Sequence, residues 1–502
     1  MKMIKQDCLI LSPYIALYDI VVPKNHLLRE LSDLVDFSFV DNMLKDKYTL
    51  NNGRPGYAPR QMFKYLLLKT IYELSDRDVV DRARTDLAFK YFLGIAPEDD
   101  VIDASSLTKF RKMRLTDNNI INILLSKTVE IAVNNGIKLS KTIIIDSTHS
   151  ESKYNVLSAR EHLLEVAKNL RKKVYDTDES YTDKMPKKPD NQQIGLYENV
   201  IKYCQSIIDL ISVDDNLMIK QNIKENMNML QELIDDTNEE LTYSKDQDAK
   251  TGHKTADSNF FGYKTHIAMT PERIITAATV TTGEKHDGKE LPTLVENSKL
   301  NGVHIDTIIG DGAYSEKDNI EYTNSNEIKL VSKLSNFVVI GNTKRIQFDY
   351  NKDAKRYVCP AGHMAIRKSL HGKNKSQTGE ENLYETHFFD VEKCKVCSLK
   401  EKCGYKGGAS KTYSVIIKKT NMHQVHQDKQ STKEYQELAK IRYMIEAKNA
   451  ELKSQYGYDY CTYTGIEGMK LQAAVSLFTV NLKRILTLKK QCSATTTPKK
   501  QK

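Results

Sequence analysis

The sequence predicts an α/β protein preceded by an all-α domain, and three observations lead there. The chain has 502 residues, more than one hydrophobic core sustains, since single cores stop growing at roughly 250 to 300 residues. Up to Gly136 the apolar residues recur at helical spacing; beyond it short β-branched runs appear, two of which end in an aspartate. Between the first of these runs and the next, residues 155–250 return to helical spacing, so the sheet must carry an insertion.

In the N-terminal part the start and stop signals are legible. Pro59 stands where a first helical turn tolerates proline, and residues 62–72 continue that helix. Ser75 with Asp78 makes a capping-box start to the next one, and Gly94 ends a short one. Ser105 or Ser106 is the expected cap of a helix carrying Lys109, Arg111, Lys112 and Arg114, and Thr116 or Asp117 opens a last helix ending at Gly136. Helices joined by short turns, one of them basic, suit a helix-turn-helix-like DNA reader. A packing domain with a solvated basic face fits the same residues.

The run 142–145 is Thr-Ile-Ile-Ile, which reads as a buried strand delivering Asp146 at its end. Residues 262–269 and 274–281 read as two further strands. A helix-like stretch follows, and then 306–309 ends in Gly310-Asp311-Gly312-Ala313-Tyr314, where Asp311 repeats the arrangement of Asp146. Glycines on both sides of Asp311 allow the backbone to come close to a ligand or a neighbouring strand. The insertion carries apolar stripes, among them Leu163, Leu170, Ile207, Ile211, Ile223 and Leu230, and reads as helices packing on themselves. Nothing in it points to chemistry. A last helix is expected over 435–456. At 100° per residue, Arg442, Glu446, Asn449 and Lys453 fall at about 0°, 40°, 340° and 20°, on one face.

Charge and cysteine usage narrow the class. The net charge is +9, but residues 411–502 hold 17 basic and 7 acidic side chains, so the excess is concentrated in that block. A basic block on an otherwise balanced chain is the footprint of a polyanion binder. No apolar run approaches the roughly 20 residues of a membrane-spanning helix, so no membrane partner is expected. The eight cysteines are poor material for a secreted disulfide framework, and a cytoplasmic, nucleoid-associated location is the expectation. No Walker-type phosphate loop is present, so ATP is not implied.

Two strand-end carboxylates and a third on a helix can converge on two divalent ions roughly 3.5 to 4 Å apart, the arrangement that serves phosphoryl transfer. The motifs Ile145-Asp146-Ser147-Thr148, Phe261-Gly262-Tyr263-Lys264, His286-Asp287, Gly310-Asp311-Gly312-Ala313-Tyr314 and the set Arg442, Glu446, Lys453 occur in this order. Together they resemble the DDE transposases of bacterial insertion sequences, in particular the eleven-eighty-two group. The stretch from Arg60-Gln61-Met62 to Leu107-Thr108-Lys109-Phe110-Arg111 resembles the helical domain preceding the catalytic domain in that group.

The resemblance implies an RNase H-like mixed sheet flanked by helices, dependence on Mg²⁺ or Mn²⁺, and cutting and joining of the element's own DNA ends. It implies Asp146, Asp311 and Glu446 as the metal-binding triad, with Arg442 and Lys453 contacting DNA near the cleaved phosphate. The family pattern often has Tyr three residues before the Arg, where this chain has Ala439. Double-stranded DNA, as terminal inverted repeats and target, is the expected partner of a homo-oligomer.

Lys264, Asn449 and the pair His286-Asp287 are further candidates around the same site, although a His-Asp pair at a strand end is commonly a turn device. Tyr456, Tyr458, Tyr460 and Tyr463 suit either stacking on an unpaired base or packing on the sheet. Cys359, Cys394, Cys397 and Cys403 could close a tetrahedral structural Zn²⁺ site, with His363 as a substitute ligand; free reduced thiols are the plainer alternative. The expected organisation is a helical domain over 1–136 and a catalytic core over 137–154, 251–349 and 411–490. A helical insertion over 155–250, a Cys-containing insertion over 350–410 and a basic tail over 491–502 complete it. Two other functions fit the pattern: a divalent-metal DNA nuclease without strand transfer, and a non-catalytic DNA-binding regulator.

Overall fold

A computed structural model describes residues 12–49, 56–115, 119–189, 197–235, 242–254, 258–334, 348–351, 353–375, 381–400, 403, 405, 407–417 and 421–496. The chain divides into two compact units, residues 1–153 with 248–502 and residues 154–247.

The first unit begins with helices α1 (Leu17–Val21), α2 (Leu27–Leu34), α3 (Ser38–Leu44), α4 (Pro59–Ile71), α5 (Asp76–Thr85), α6 (Leu87–Leu93), α7 (Ala104–Arg114) and α8 (Ile120–Asn134). Their boundaries follow local chemistry. Pro59 is the first residue of α4, Ser75 and Asp78 form the reciprocal capping box of α5, and Gly94 closes α6 at φ 70°. The expected cap at Ser105 or Ser106 is displaced: Asp103 caps α7 by accepting from Ser105 N at 2.8 Å, because a carboxylate two residues upstream reaches the first free N–H groups. The last helix opens at Ile120; Thr116 and Asp117 lie outside the described residues.

The central sheet holds β1 (Thr142–Glu151), β4 (Lys250–His253), β5 (Asn259–Met269), β6 (Ile275–Thr282), β7 (Thr307–Gly310) and β8 (Lys329–Ser332), after the short β2 (Leu157–Ser158) and β3 (Thr242–Tyr243) of the second unit. Across the sheet the order is β6-β5-β1-β7-β8, with β4 pairing the start of β5. The β1–β5 and β5–β6 pairs are antiparallel, and β1–β7 and β7–β8 are parallel. This mixed sheet flanked by helices is consistent with the RNase H-like fold. The strand expected over 142–145 runs on to Glu151. Its polar second half is held by β5, and Thr148 and Ser150 are buried. Asp146 therefore sits within β1, at the point where the β7 ladder stops.

In the second unit, helices α9 (Ala159–Thr177), α10 (Tyr197–Ser212), α11 (Asp215–Met218) and α12 (Gln221–Asp235) bury Leu163, Leu170, Ile207, Ile211, Ile223 and Leu230 in a core of their own. In the first unit α13 (Leu291–Leu300) and α14 (Lys317–Ser325) follow β6 and β7. A small module then contains β9 (Asp349–Asn351), β10 (Arg356–Val358), β11 (Arg367–Lys375), β12 (Glu381–Phe389), α15 (Val391–Lys395) and β13 (Lys411–Ile417). The chain ends in α16 (Asn421–Gln430), α17 (Lys433–Lys440), α18 (Tyr443–Tyr456) and α19 (Gly465–Thr496). The single helix expected over 435–456 is thus two helices. Ile441 and Arg442 form the joint, and Arg442 takes the cap position of α18.

One core spans the N-terminal helices and one face of the sheet: Phe63, Phe89, Leu124, Ile144, Ile309, Ile445 and Phe478 belong to it. Ile143, Ile145, Ile308 and Leu294 belong to the core on the opposite face. Among the described residues no helix is long and apolar enough to cross a membrane.

Candidate active site

The site begins with strand register. Ile144 of β1 pairs with Ile309 of β7 in a parallel ladder, and each is followed two residues later by an aspartate, Asp146 and Asp311. Adjacent strands lie about 4.8 Å apart, so the two aspartates occupy neighbouring positions. Alternation along a strand assigns Asp146 to the face of Ile144, the face on which Ile445 and Leu452 of α18 are buried. Asp311 lies just past β7. Its Oδ1 accepts from Ala313 N at 3.0 Å, fixing the turn that follows. Gly310 is required here, because a Cβ would come within 2.8 Å of the Tyr314 ring packed over it.

The stripe on α18 partly meets this face. Asn449 Nδ2 donates to Asp146 Oδ2 at 3.3 Å on this face, whereas Lys453 Nζ lies 3.0 Å from Nε2 of His149, which alternation turns to the other face, and 3.3 Å from Asp459. Glu446, one turn before Asn449, is more than half exposed and ion-paired with Arg442. The helix is anchored from its other side, where buried Lys448 pairs with Glu451 at 2.8 Å and Glu451 accepts from Arg273 at 2.9 Å. The structure therefore joins Asn449 to Asp146, sets Asp311 two residues past the Ile144–Ile309 pair on the neighbouring strand, and leaves Glu446 on the same helical stripe, held by Arg442. Among the described residues no three His, Cys, Asp or Glu side chains already stand close enough together to hold a metal ion.

The opposite face of β1 carries a network that the sequence pattern does not reveal. Ser147 Oγ donates to Asp287 Oδ2 at 2.7 Å, and Lys264 Nζ donates to Asp287 Oδ1 at 3.0 Å and to Lys285 O at 2.9 Å. Asp287 and Lys264 are buried, so this pair holds its charges in a low-dielectric setting directly behind Asp146. Lys264 is consequently directed inward. His286 acts as a turn device: its Nδ1 accepts from Gly288 N at 3.2 Å and also lies 3.2 Å from Glu316. Desolvation by its neighbours raises the carboxyl pKa of the partly exposed Glu316, with Asp318, Asp349 and Asp287 adding to the shift and Lys289 opposing it. The signal that could have found Ser147 is its place beside Asp146, which strand alternation turns to the opposite face.

Other candidates separate by exposure. Lys109 and Lys112 are exposed on α7. Arg111 is buried, ion-paired with Asp76 and stacked on Tyr463. Arg114 donates to Lys47 O and lies over Tyr48. Tyr456 and Tyr458 are buried and Tyr458 shares a hydrogen bond with Thr265 Oγ1 at 2.8 Å, which is packing on the sheet; Tyr460 is exposed. The four clustered cysteines line one cavity.

The family described as Transposase DDE domain matches residues 232–482, half of the chain, and Transposase domain (DUF772) matches residues 17–113. A search of curated proteins finds no match. The fold and the matches define an enzyme class that cuts and joins DNA. The chain belongs to the DDE transposase family of insertion sequences. Asp311 and Glu446 fall inside the matched catalytic stretch, and Asp146 lies between the two matches.

Proposed function

We propose that the protein binds the terminal inverted repeats of its insertion sequence and carries out hydrolytic cleavage followed by transfer of the 3′ ends into target DNA. The observation that carries this reading is the register of β1 and β7, which sets Asp146 and Asp311 on neighbouring positions with the α18 stripe beside them. Asp146, Asp311 and Glu446 are the residues that would hold Mg²⁺ or Mn²⁺; the donor set is all carboxylate oxygen, which suits hard cations. When bound, such ions lower the barrier by activating the attacking oxygen and neutralising charge on the leaving one.

The chain's own residues supply position and charge. Asn449 orients Asp146 through its amide. Arg442 holds the Glu446 carboxylate in place while the site is open, and can turn to a DNA phosphate once Glu446 is engaged. Lys453, with Lys109, Lys112 and Arg114 elsewhere on the unit, offers cationic contacts for the backbone, which fix register without reading sequence. An oligomer that pairs two element ends is the assembly this chemistry requires.

The test uses oligonucleotides carrying the inverted repeats that flank the coding region. Asp146→Asn, Asp311→Asn and Glu446→Gln are each expected to retain binding in a gel-shift assay and to lose metal-dependent cleavage by roughly a thousandfold, since the lost stabilisation is several kcal/mol. Full cleavage by any one of the three removes that residue from the triad. Pre-cut ends separate this reading from a nuclease, which would cleave and never join; a regulator would bind and do neither.

A further inference from the structure

We propose that Cys359, Cys394, Cys397 and Cys403 bind a structural zinc ion that staples the module over 348–417, independently of the catalytic site. The four thiols line one cavity whose other walls include Phe348 and Phe389, and none of them is in a disulfide. They come from three places in the chain that the fold brings together: the turn after β10, helix α15 with the residues after it, and the segment before β13.

The backbone is arranged for sulfur that carries negative charge. After β10 the chain turns tightly through Cys359-Pro-Ala-Gly-His, with Gly362 N donating to Cys359 O and Cys359 N to His363 O, both at 2.8 Å. Gly362 takes φ +85°, which permits the turn. Leu399 N donates to Cys397 Sγ at 3.4 Å. Lys393, Lys400 and Lys411 line the same cavity, and Lys411 Nζ donates to Cys403 O at 2.7 Å. Zinc with four thiolates carries two net negative charges, and these lysines offset them.

Among the described residues the module's core cluster holds Phe348, Tyr357, Ala365 and Phe389, with Cys359 and Cys394 packed against it, so an ion held by these thiols would cross-link the module beside its apolar centre. Among the described residues the four thiols line the cavity without standing close enough together to hold an ion. Binding draws the sulfurs inward, and each thiol that becomes a ligand releases its proton to solvent. Four soft donors in a closed setting select zinc over the hard cations of the catalytic carboxylates.

The experiment is metal analysis of the full-length chain, purified under reducing conditions without chelator. It is expected to carry about one zinc per chain, released by a mercurial thiol reagent. After replacement with Co²⁺ it should show sulfur-to-cobalt charge transfer and the visible bands of a tetrahedral site. Cys394→Ser and Cys403→Ser should lose the ion, whereas Cys492→Ser and Asp146→Asn should keep it. If the serine variants fail to fold, alkylation of the unaltered chain with and without zinc decides: zinc should protect these four cysteines and leave Cys492 reactive. Absence of zinc and cobalt binding, an iron cluster in place of zinc, retention of zinc by Cys394→Ser, or no protection of the four thiols overturns the proposal.

Discussion

The central sheet and the cysteine module solve the same problem at different scales. β1 and β7 are flanked on both faces by extended apolar cores, so Asp146 and Asp311 are positioned by Ile143, Ile144, Ile145, Ile308 and Ile309 before any ligand arrives. Among the described residues the module's core cluster holds Phe348, Tyr357, Ala365 and Phe389, with four thiols lining the cavity beside it. On the roles proposed above, Asp146 and Asp311 would hold their ions on a scaffold packed without them, whereas the proposed zinc would itself cross-link the module. Metal removal should therefore split the two regions: a chelator abolishes DNA cleavage while the sheet keeps its hydrogen-exchange protection, and the module loses protection once its zinc is stripped.

The largest effect on stability is expected in the sheet. Ile144→Ala removes a fully buried side chain between β5 and β7 and should cost about 4 kcal/mol, read from urea unfolding of the whole chain. Phe348→Ala should leave that main transition in place and loosen only the module. Equal loss from both substitutions would remove the contrast. Next comes Asp287→Asn, which leaves Lys264 buried without its counter-charge and should cost about 3 kcal/mol. Its effect on cleavage should exceed that of a surface charge change, because Ser147 adjoins Asp146. Ser147→Ala removes one hydrogen bond to a charged group and should cost about 1.5 kcal/mol. A Ser147→Ala variant with unaltered stability and cleavage would sever the network from the site.

How much of this was legible in the sequence depends on how local its cause is. The capping box of α5, Pro59, Gly94 and the two Ile-to-Asp transitions are short-range patterns, and they are found where the spacing puts them. The extension of β1 to Glu151 was not legible, since Ser-Thr-His-Ser-Glu has no apolar alternation and is held as strand by β5. The break at Ile441 and Arg442 has no Gly or Pro to announce it. Arg111 turns inward because Asp76 waits on another helix, and Asp287 reaches Ser147 across 140 residues. Neither pairing leaves a mark at helical or strand spacing.

A last prediction tests how α18 is held against β1. Burial, with the charges of Lys453 and Lys254, lowers the His149 imidazole from 6.5 to about 4, so in the folded protein it stays neutral and accepts from Lys453. The unfolded chain takes up this proton near 6.5, the folded chain only near 4. The stabilising contribution is therefore complete above pH 6.5 and declines as pH falls toward 4, because there the unfolded state binds the extra proton. His149→Gln retains an acceptor for Lys453 and cannot titrate, so its unfolding free energy should fall less steeply across that interval than that of the unaltered chain. Matching slopes for the two proteins would mean that His149 is not neutral in the fold. The contact between Lys453 and the strand bearing Asp146 would then have to be held by Asp459 alone, a pair whose acceptor is more than half exposed and correspondingly weak.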